Sequence, residues 1–288
     1  MIIPYRVDVP SERHPYANWA IIALTALAFL ALLHWTEPMV QAFVLTGWSP
    51  VRLLGYLFLH VGWMHLIGNL VFLWVFGNAV CAKAGNLRYP FCYLGLGMVA
   101  AGVHLLCDGQ AAVGASGAIN GIIGMFLVWY PLNDVSCFAW FFRPFTFSVS
   151  SYWMILLWLA FDIFGACTGE GETAYWAHLG GFGGGFGLAF LMAKCGWVRM
   201  ERHEKSLLQI WGVGARTPSD RIRESQRVRP GPSPTLPPVR PVSGASDTIR
   251  IRCDCGKTLR TPASAVGKRV RCPGCSKIIQ VSGPTPAT

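Results

Sequence analysis

Six apolar runs, 18–35, 63–80, 89–107, 116–130, 151–167 and 174–195, alternate along the chain with polar or aromatic connectors. Runs of this length predict membrane-crossing helices, an even number of which puts both termini on one side. The fourth is too short to cross from surface to surface, so Ser116, which opens it, is expected below the lipid headgroups. Connectors 37–62 and 131–150 are long and aromatic, the second carrying Trp140, Phe141, Phe142 and Phe147. The first is expected to lie partly in the membrane interface, and the second to be an interfacial loop on the inner side.

Lys and Arg in the connectors set the orientation. With the N-terminus inside, Arg6, Arg13, Lys83, Arg88, Arg143 and Lys194 are inner and only Arg52 is outer. The second, fourth and sixth runs then start at the outer surface, which puts His65, Asn69, Ser116 and His178 in the outer half of the bilayer. Polar side chains at that depth are costly and tend to face a bundle interior or an aqueous cavity.

Composition agrees with a polytopic membrane protein: 288 residues, 53% hydrophobic, 13% charged, mean hydropathy +0.42. The net charge of +10 is uneven, since residues 1–193 hold 6 Lys+Arg against 8 Asp+Glu and the remainder is strongly basic. A basic tail fits the anionic cytoplasmic leaflet, or nucleic acid. No cleavable signal peptide is expected, because the first apolar run follows a polar, proline-containing segment and five more runs follow it. Of ten cysteines, six stand singly in or near apolar runs and read as small buried hydrophobes.

The candidate chemistry begins at Gly114-Ala115-Ser116-Gly117. A glycine-bearing loop feeding a helix N-terminus offers free N–H groups and a positive dipole end, which suit a nucleophile whose attack makes an oxyanion. Taken alone, the stretch is better explained by a serine N-cap at a close helix contact. The sixth run carries His178 ahead of Gly180/Gly184, Gly181/Gly185 and Gly183/Gly187, small-xxx-small spacings like Gly117/Gly121 in the fourth. If these two helices pack closely, His178 reaches Ser116 as general base; the bland alternative is a structural histidine. His65 and Asn69, at i and i+4, share one face of the second run and with the Ser116 N–H would form an oxyanion hole. The alternative for the histidines is a metal or haem site, as in a haem-binding or transport bundle using His65, His104 and His178.

The order His60-x4-His65-x3-Asn69, Gly114-Ala115-Ser116-Gly117, Ala177-His178-x-Gly180-x3-Gly184 on the second, fourth and sixth of six helices resembles the rhomboid family of intramembrane serine proteases, over residues 18–196. The resemblance implies an all-α polytopic six-helix bundle. It implies hydrolysis of peptide bonds in or beside transmembrane segments of membrane proteins, with Ser116 as nucleophile, His178 as base, His65 and Asn69 as oxyanion donors, and no cofactor for catalysis. The alternative is an inactive rhomboid-like protein that binds transmembrane clients. Where the family usually has an aromatic residue stacked on the catalytic histidine, this chain has Asn120, expected to orient the imidazole by a hydrogen bond. Cys81 stands at a position often acidic, and Val51-Arg52 replaces a Trp-Arg pair. Asp162 falls toward the outer half and reads as a rim or capping residue in preference to a third catalytic member.

Beyond the bundle, 197–247 reads as a basic, proline-rich linker, with a short amphipathic patch around Ile210 and Trp211. The segment 248–283 holds Cys253-x-Cys255 and Cys272-x2-Cys275, a four-cysteine zinc ribbon with short strands and a structural zinc ion. A cytoplasmic, reducing side disfavours two disulfides in their place. Its arginines and lysines read as a solvated basic face near the membrane and do not resemble a base reader. The segment 1–17 is expected to be cytoplasmic, and the whole to be a multi-pass protein of the cell (inner) membrane acting on transmembrane protein substrates among membrane lipids. Nothing fixes the oligomeric state.

Overall fold

The apolar runs fold as helices close to their predicted bounds. The computed structural model describes residues 2–9, 13–140, 143–169, 171, 173–198, 200, 204–212, 248–273, 275 and 277–281, in two units, Met1–Arg221 and Ile222–Thr288. The first unit opens with strand β1 (Ile2–Val7) and helix α1 (Tyr16–Leu32), followed by the short helices α2 (Glu37–Gln41) and α3 (Pro50–Gly55). Helix α4 (Trp63–Phe72) runs through a π-helical turn, Leu73–Gly77, into α5 (Asn78–Ala84). Then come α6 (Tyr89–Cys107), α7 (Ser116–Trp129), strands β2 (Asp134–Trp140) and β3 (Pro144–Ser150), and helices α8 (Ser151–Thr168), α9 (Tyr175–Lys194) and α10 (Leu207–Ile210).

Three of these helices are long and apolar enough to cross a membrane: Trp63–Ala84, Tyr89–Cys107 and Ser151–Thr168. Tyr16–Leu32 and Ser116–Trp129 are apolar but shorter, and α9 has the length while its glycines dilute its hydropathy. Helix α7 is the most enclosed, with every residue from Gly117 to Trp129 except Asn120 buried. A helix apolar all round must be wrapped by neighbours, and α6 and α9 wrap it. The glycines decide how closely. A Cβ on Gly181 or Gly185 would overlap the carbonyl oxygen of Gly117 or Gly121, so α7 and α9 are in backbone contact along that pair. Gly180 and Gly184 instead admit Val103 and Val99 of α6, and Gly183 and Gly187 face open space.

The π-helical turn has an identifiable cause. Asn18, buried on α1, donates from Nδ2 to the Leu73 carbonyl at 2.8 Å and to Asn78 Oδ1 at 2.9 Å, while its Oδ1 accepts from Tyr89 Oη at 2.6 Å. A widened turn frees carbonyls, and here a side chain takes one of them. Gly77 leaves room for it, since a Cβ there would lie 2.6 Å from Asn18 Oδ1.

The all-α expectation is corrected by a three-stranded antiparallel sheet in the order β1-β2-β3. The aromatic connector 131–150 is largely the hairpin β2–β3, and part of the N-terminal segment 1–17 is β1, paired from Ile2 opposite Ala139 to Val7 opposite Val135. The register shifts between Pro4 and Arg6, near a proline that has no N–H for the ladder. Val135, Cys137 and Ala139 alternate as the buried face of β2, and Cys137 Sγ lies 3.8 Å from Met154 Sδ. The strand period of two is carried there by these three small or β-branched residues.

The connector 37–62 is only partly superficial. Tyr56 and Leu57 are buried, Tyr56 Oη donates to the Gly97 carbonyl at 2.8 Å, and Gly97 leaves the space that Leu57 fills, whereas Trp48 and Val51 are exposed. After α9 the chain returns to the bundle: Leu207 and Leu208 are buried, a Ser206/Gln209 capping box starts α10, and buried Glu204 pairs with Lys83. So 204–212 packs on the bundle at the near end of the expected linker, with Ile210 and Trp211 exposed; the rest of that linker, 213–247, lies outside the described residues.

The second unit consists of two antiparallel hairpins, β4 (Thr248–Arg252) with β5 (Thr258–Pro262) and β6 (Arg269–Arg271) with β7 (Ile278–Gln280).

Candidate functional site

The loop into α7 is held from both sides. Leu45 and Ala112 exchange backbone hydrogen bonds at 3.0 and 3.1 Å, the Gly114 N–H donates to the Tyr56 carbonyl at 2.9 Å, and His104 Nε2 lies 2.9 Å from the Gln110 carbonyl. Irregular backbone inside a bundle needs such partners. Gly114 has φ +119°, a conformation that favours glycine, and a Cβ there would lie 2.8 Å from His65 Cε1 and Nε2. The imidazole of His65 therefore stands against the backbone two residues ahead of Ser116, with the Asn69 amide beside it, 3.9 Å from that same point.

Ser116 is the first residue of α7. The residue before it, Ala115, is the N-cap and makes no side-chain capping bond, so the serine N-cap does not describe this helix start. Among the described residues the Ser116 hydroxyl has no hydrogen-bond partner, while its carbonyl accepts from Asn120 Nδ2 at 3.1 Å. The next residue, Gly117, packs on the residue before His178: a Cβ on Gly117 would lie 3.5 Å from that of Ala177. Close packing of α7 and α9 thus begins beside Ser116 on one helix and beside His178 on the other.

Ser116, His178, His65, His104 and Asp108 line one cavity of about 530 Å³, to which Gly165 and Ala166 of α8 also contribute. Asn69 Nδ2 and His65 Nδ1 are buried with no hydrogen-bond partner among the described residues. His60 is buried beside His65, with ring centroids 5.1 Å apart. Buried donors left unpaired are uncommon in folded proteins.

Two residues stand differently from expectation. Asn120 bonds back to its own helix turn at Ser116 and not to His178, as polar side chains within helices often do. The partner of His178 is Asp162, with Nδ1 and Oδ1 3.0 Å apart and each side chain 15% exposed. The signal that would have raised Asp162 is its place one turn before Gly165, whose missing side chain admits the ring of Tyr175 at the start of α9.

In the second unit Cys253, Cys255, Cys272 and Cys275 bring their sulfurs within 4.8 Å of one another, with Cys253 to Cys275 at 3.6 Å and Cys255 to Cys272 at 3.7 Å. Four thiolates around one zinc ion at about 2.3 Å stand about 3.8 Å apart, so the set fits a tetrahedral metal, whereas a disulfide needs about 2 Å. Beside them the Lys277 ammonium donates to Asp254 Oδ2 at 2.6 Å, which lowers the carboxyl pKa from its ordinary value.

A family model described as the Rhomboid domain matches residues 47–195. The chain is 31% identical over 145 residues to "Putative rhomboid protease YdcA" of Bacillus subtilis (strain 168), a stretch covering 50% of this chain and 67% of that protein. It is 37% identical over 76 residues to "Rhomboid protease GluP" of the same organism, covering 26% of this chain and 15% of that protein. A third relative, "Rhomboid-like protein 11, chloroplastic" of Arabidopsis thaliana, is 37% identical over 70 residues, covering 24% of this chain and 25% of that protein. The chain therefore spans well under two thirds of two of these three relatives.

Proposed function

The chain belongs to the rhomboid family, and on that premise we propose that residues 18–196 form an intramembrane serine endopeptidase that cleaves transmembrane proteins in or beside their membrane spans. Ser116 Oγ attacks the scissile carbonyl carbon as its proton passes to the imidazole of His178. The resulting oxyanion is taken by His65, Asn69 and the Ser116 N–H. Collapse expels the amine, which leaves with the proton held by His178, and water then releases the acyl group from Ser116 by the same route.

The observation that carries this reading is the cavity that Ser116, His178 and His65 share, with the Asn69 amide nitrogen, unpartnered among the described residues, buried beside His65. In this reading all six helices span the cell membrane with both termini cytoplasmic, and the cavity opens on the extracytoplasmic side. The four cysteines of the second unit hold a structural zinc ion, whose binding supplies folding energy to a segment too small to bury a sizeable core.

A fluorophosphonate, which reports an activated serine, tests the reading. Covalent labelling of the full chain in liposomes that disappears in Ser116→Ala and His178→Ala, with cleavage of a single-span substrate lost in parallel, is the expected result. A wild-type chain that neither labels nor cleaves would instead assign the fold to client binding without hydrolysis.

A further inference from the structure

The catalytic imidazole of the reading above has a fixed carboxylate partner. We propose that Asp162 of α8 is the positioning residue of His178, so that the site works as a Ser116–His178–Asp162 relay and not as a two-residue device.

The geometry is that of a held imidazole. Asp162 Oδ1 lies 3.0 Å from His178 Nδ1, and both side chains are mostly enclosed. An ionised carboxylate only accepts hydrogen bonds, so it takes the Nδ1–H and leaves Nε2 without a proton, the form that can accept one from a serine. A carboxylate is expensive among apolar helices unless something pairs with it, and Asp162 is paired with this imidazole.

The helices that carry the pair are locked together one turn away. Gly165 of α8 has no side chain, and a Cβ there would run into the ring of Tyr175, whose centroid lies 6.4 Å from that of His178 at 81°. The alternative orienting residue, Asn120, is engaged with the Ser116 carbonyl at 3.1 Å. Among the described residues the other ionisable groups lining the cavity are Tyr175 on α9, His65 on α4 and, at the end of α6, His104 and Asp108, which lie 3.6 Å from each other. As the serine proton arrives the imidazole becomes cationic, and Asp162 stabilises that charge without taking the proton itself.

Two measurements on the full chain test this. The first determines the tautomer of His178 by 15N NMR of histidine-labelled protein in detergent, with the resonance assigned by its loss in His178→Ala; it needs no activity. Protonation at Nδ1 in the wild type, moving toward Nε2 in Asp162→Asn, is expected. A wild-type imidazole protonated at Nε2 overturns the proposal.

The second compares kcat and KM for a single-span substrate in liposomes. Asp162→Asn should lower kcat about 10- to 100-fold, the scale of one hydrogen bond to a charged group, with KM unchanged and part of the rate restored by Asp162→Glu. Unchanged kcat in Asp162→Asn, or a loss that appears in KM alone, rejects it. Failure of the wild type to label with fluorophosphonate would reject proteolysis while leaving the tautomer result to decide the pairing.

Discussion

Two buried polar clusters in the first unit are built on opposite terms. Around Asn18 the amide spends both its donor and its acceptor within the protein, on Leu73, Asn78 and Tyr89. Around Ser116 the Asn69 amide nitrogen and His65 Nδ1 are buried without hydrogen-bond partners among the described residues. An unpaired buried donor costs on the order of 1–3 kcal/mol, so the Asn18 amide adds stability that the Asn69 amide does not. In the proposed function the second cluster is a site prepared for a charge that exists only during a reaction.

The sharpest way to break that comparison is to delete a donor from each cluster. Asn69→Leu should lower kcat about 10²- to 10³-fold, the loss typical of one oxyanion donor, with KM little changed. The thermal midpoint should hold or rise, because a buried amide without a partner is replaced by an apolar side chain of similar size. Kinetics in liposomes and thermal unfolding in detergent measure the two quantities on one preparation. An Asn69→Leu protein that unfolds earlier and cleaves normally would show that the amide is a structural group after all.

Asn18→Leu should do the reverse. It strands the Leu73 carbonyl, Asn78 Oδ1 and the hydroxyl of fully buried Tyr89, so a loss of about 2–3 kcal/mol is expected, with kcat per folded molecule unchanged. Reversible unfolding in detergent measures the first and active-serine titration normalises the second. A drop in kcat at full folding would mean that the π-helical turn transmits strain along α4 to His65 and Asn69.

What the sequence made legible follows from how local each signal is. Ser116 at a helix start, His65 and Asn69 on one face, and the small-residue spacings are properties of a few consecutive residues, and so is the cysteine spacing of the second unit. The sheet was missed because β1 pairs with a strand more than a hundred residues away and its partner hairpin is dense in aromatics. The π-helical turn leaves no mark in 73–77, since its cause is an asparagine on another helix. The Asp162–His178 pairing is not legible for the same reason, since it depends on α8 packing close to α9, as at Gly165 and Tyr175. Asn120 was misjudged in the opposite direction, because sharing a face with Ser116 also gave its amide a nearer acceptor, the carbonyl one turn back.

The glycines of α9 give the finest test, because three chemically identical pairs face three surroundings. Gly185 abuts the backbone of Gly121, Gly184 meets Val99 with a Cβ-to-Cγ1 distance of 3.0 Å, and Gly183 faces open space. Gly185→Ala must push α7 and α9 apart, at a cost of about 1–3 kcal/mol for overpacking, and should also slow cleavage because the same two helices carry Ser116 and His178. Gly184→Ala asks only a valine to yield and should cost less. Gly183→Ala meets nothing and should raise helix propensity slightly, with stability and kcat unchanged or marginally higher. Equal damage from Gly183→Ala and Gly185→Ala, read by unfolding and by liposome cleavage, would mean that the two helices do not meet along this line, and the satisfied and unsatisfied clusters would lose the scaffold that keeps them apart.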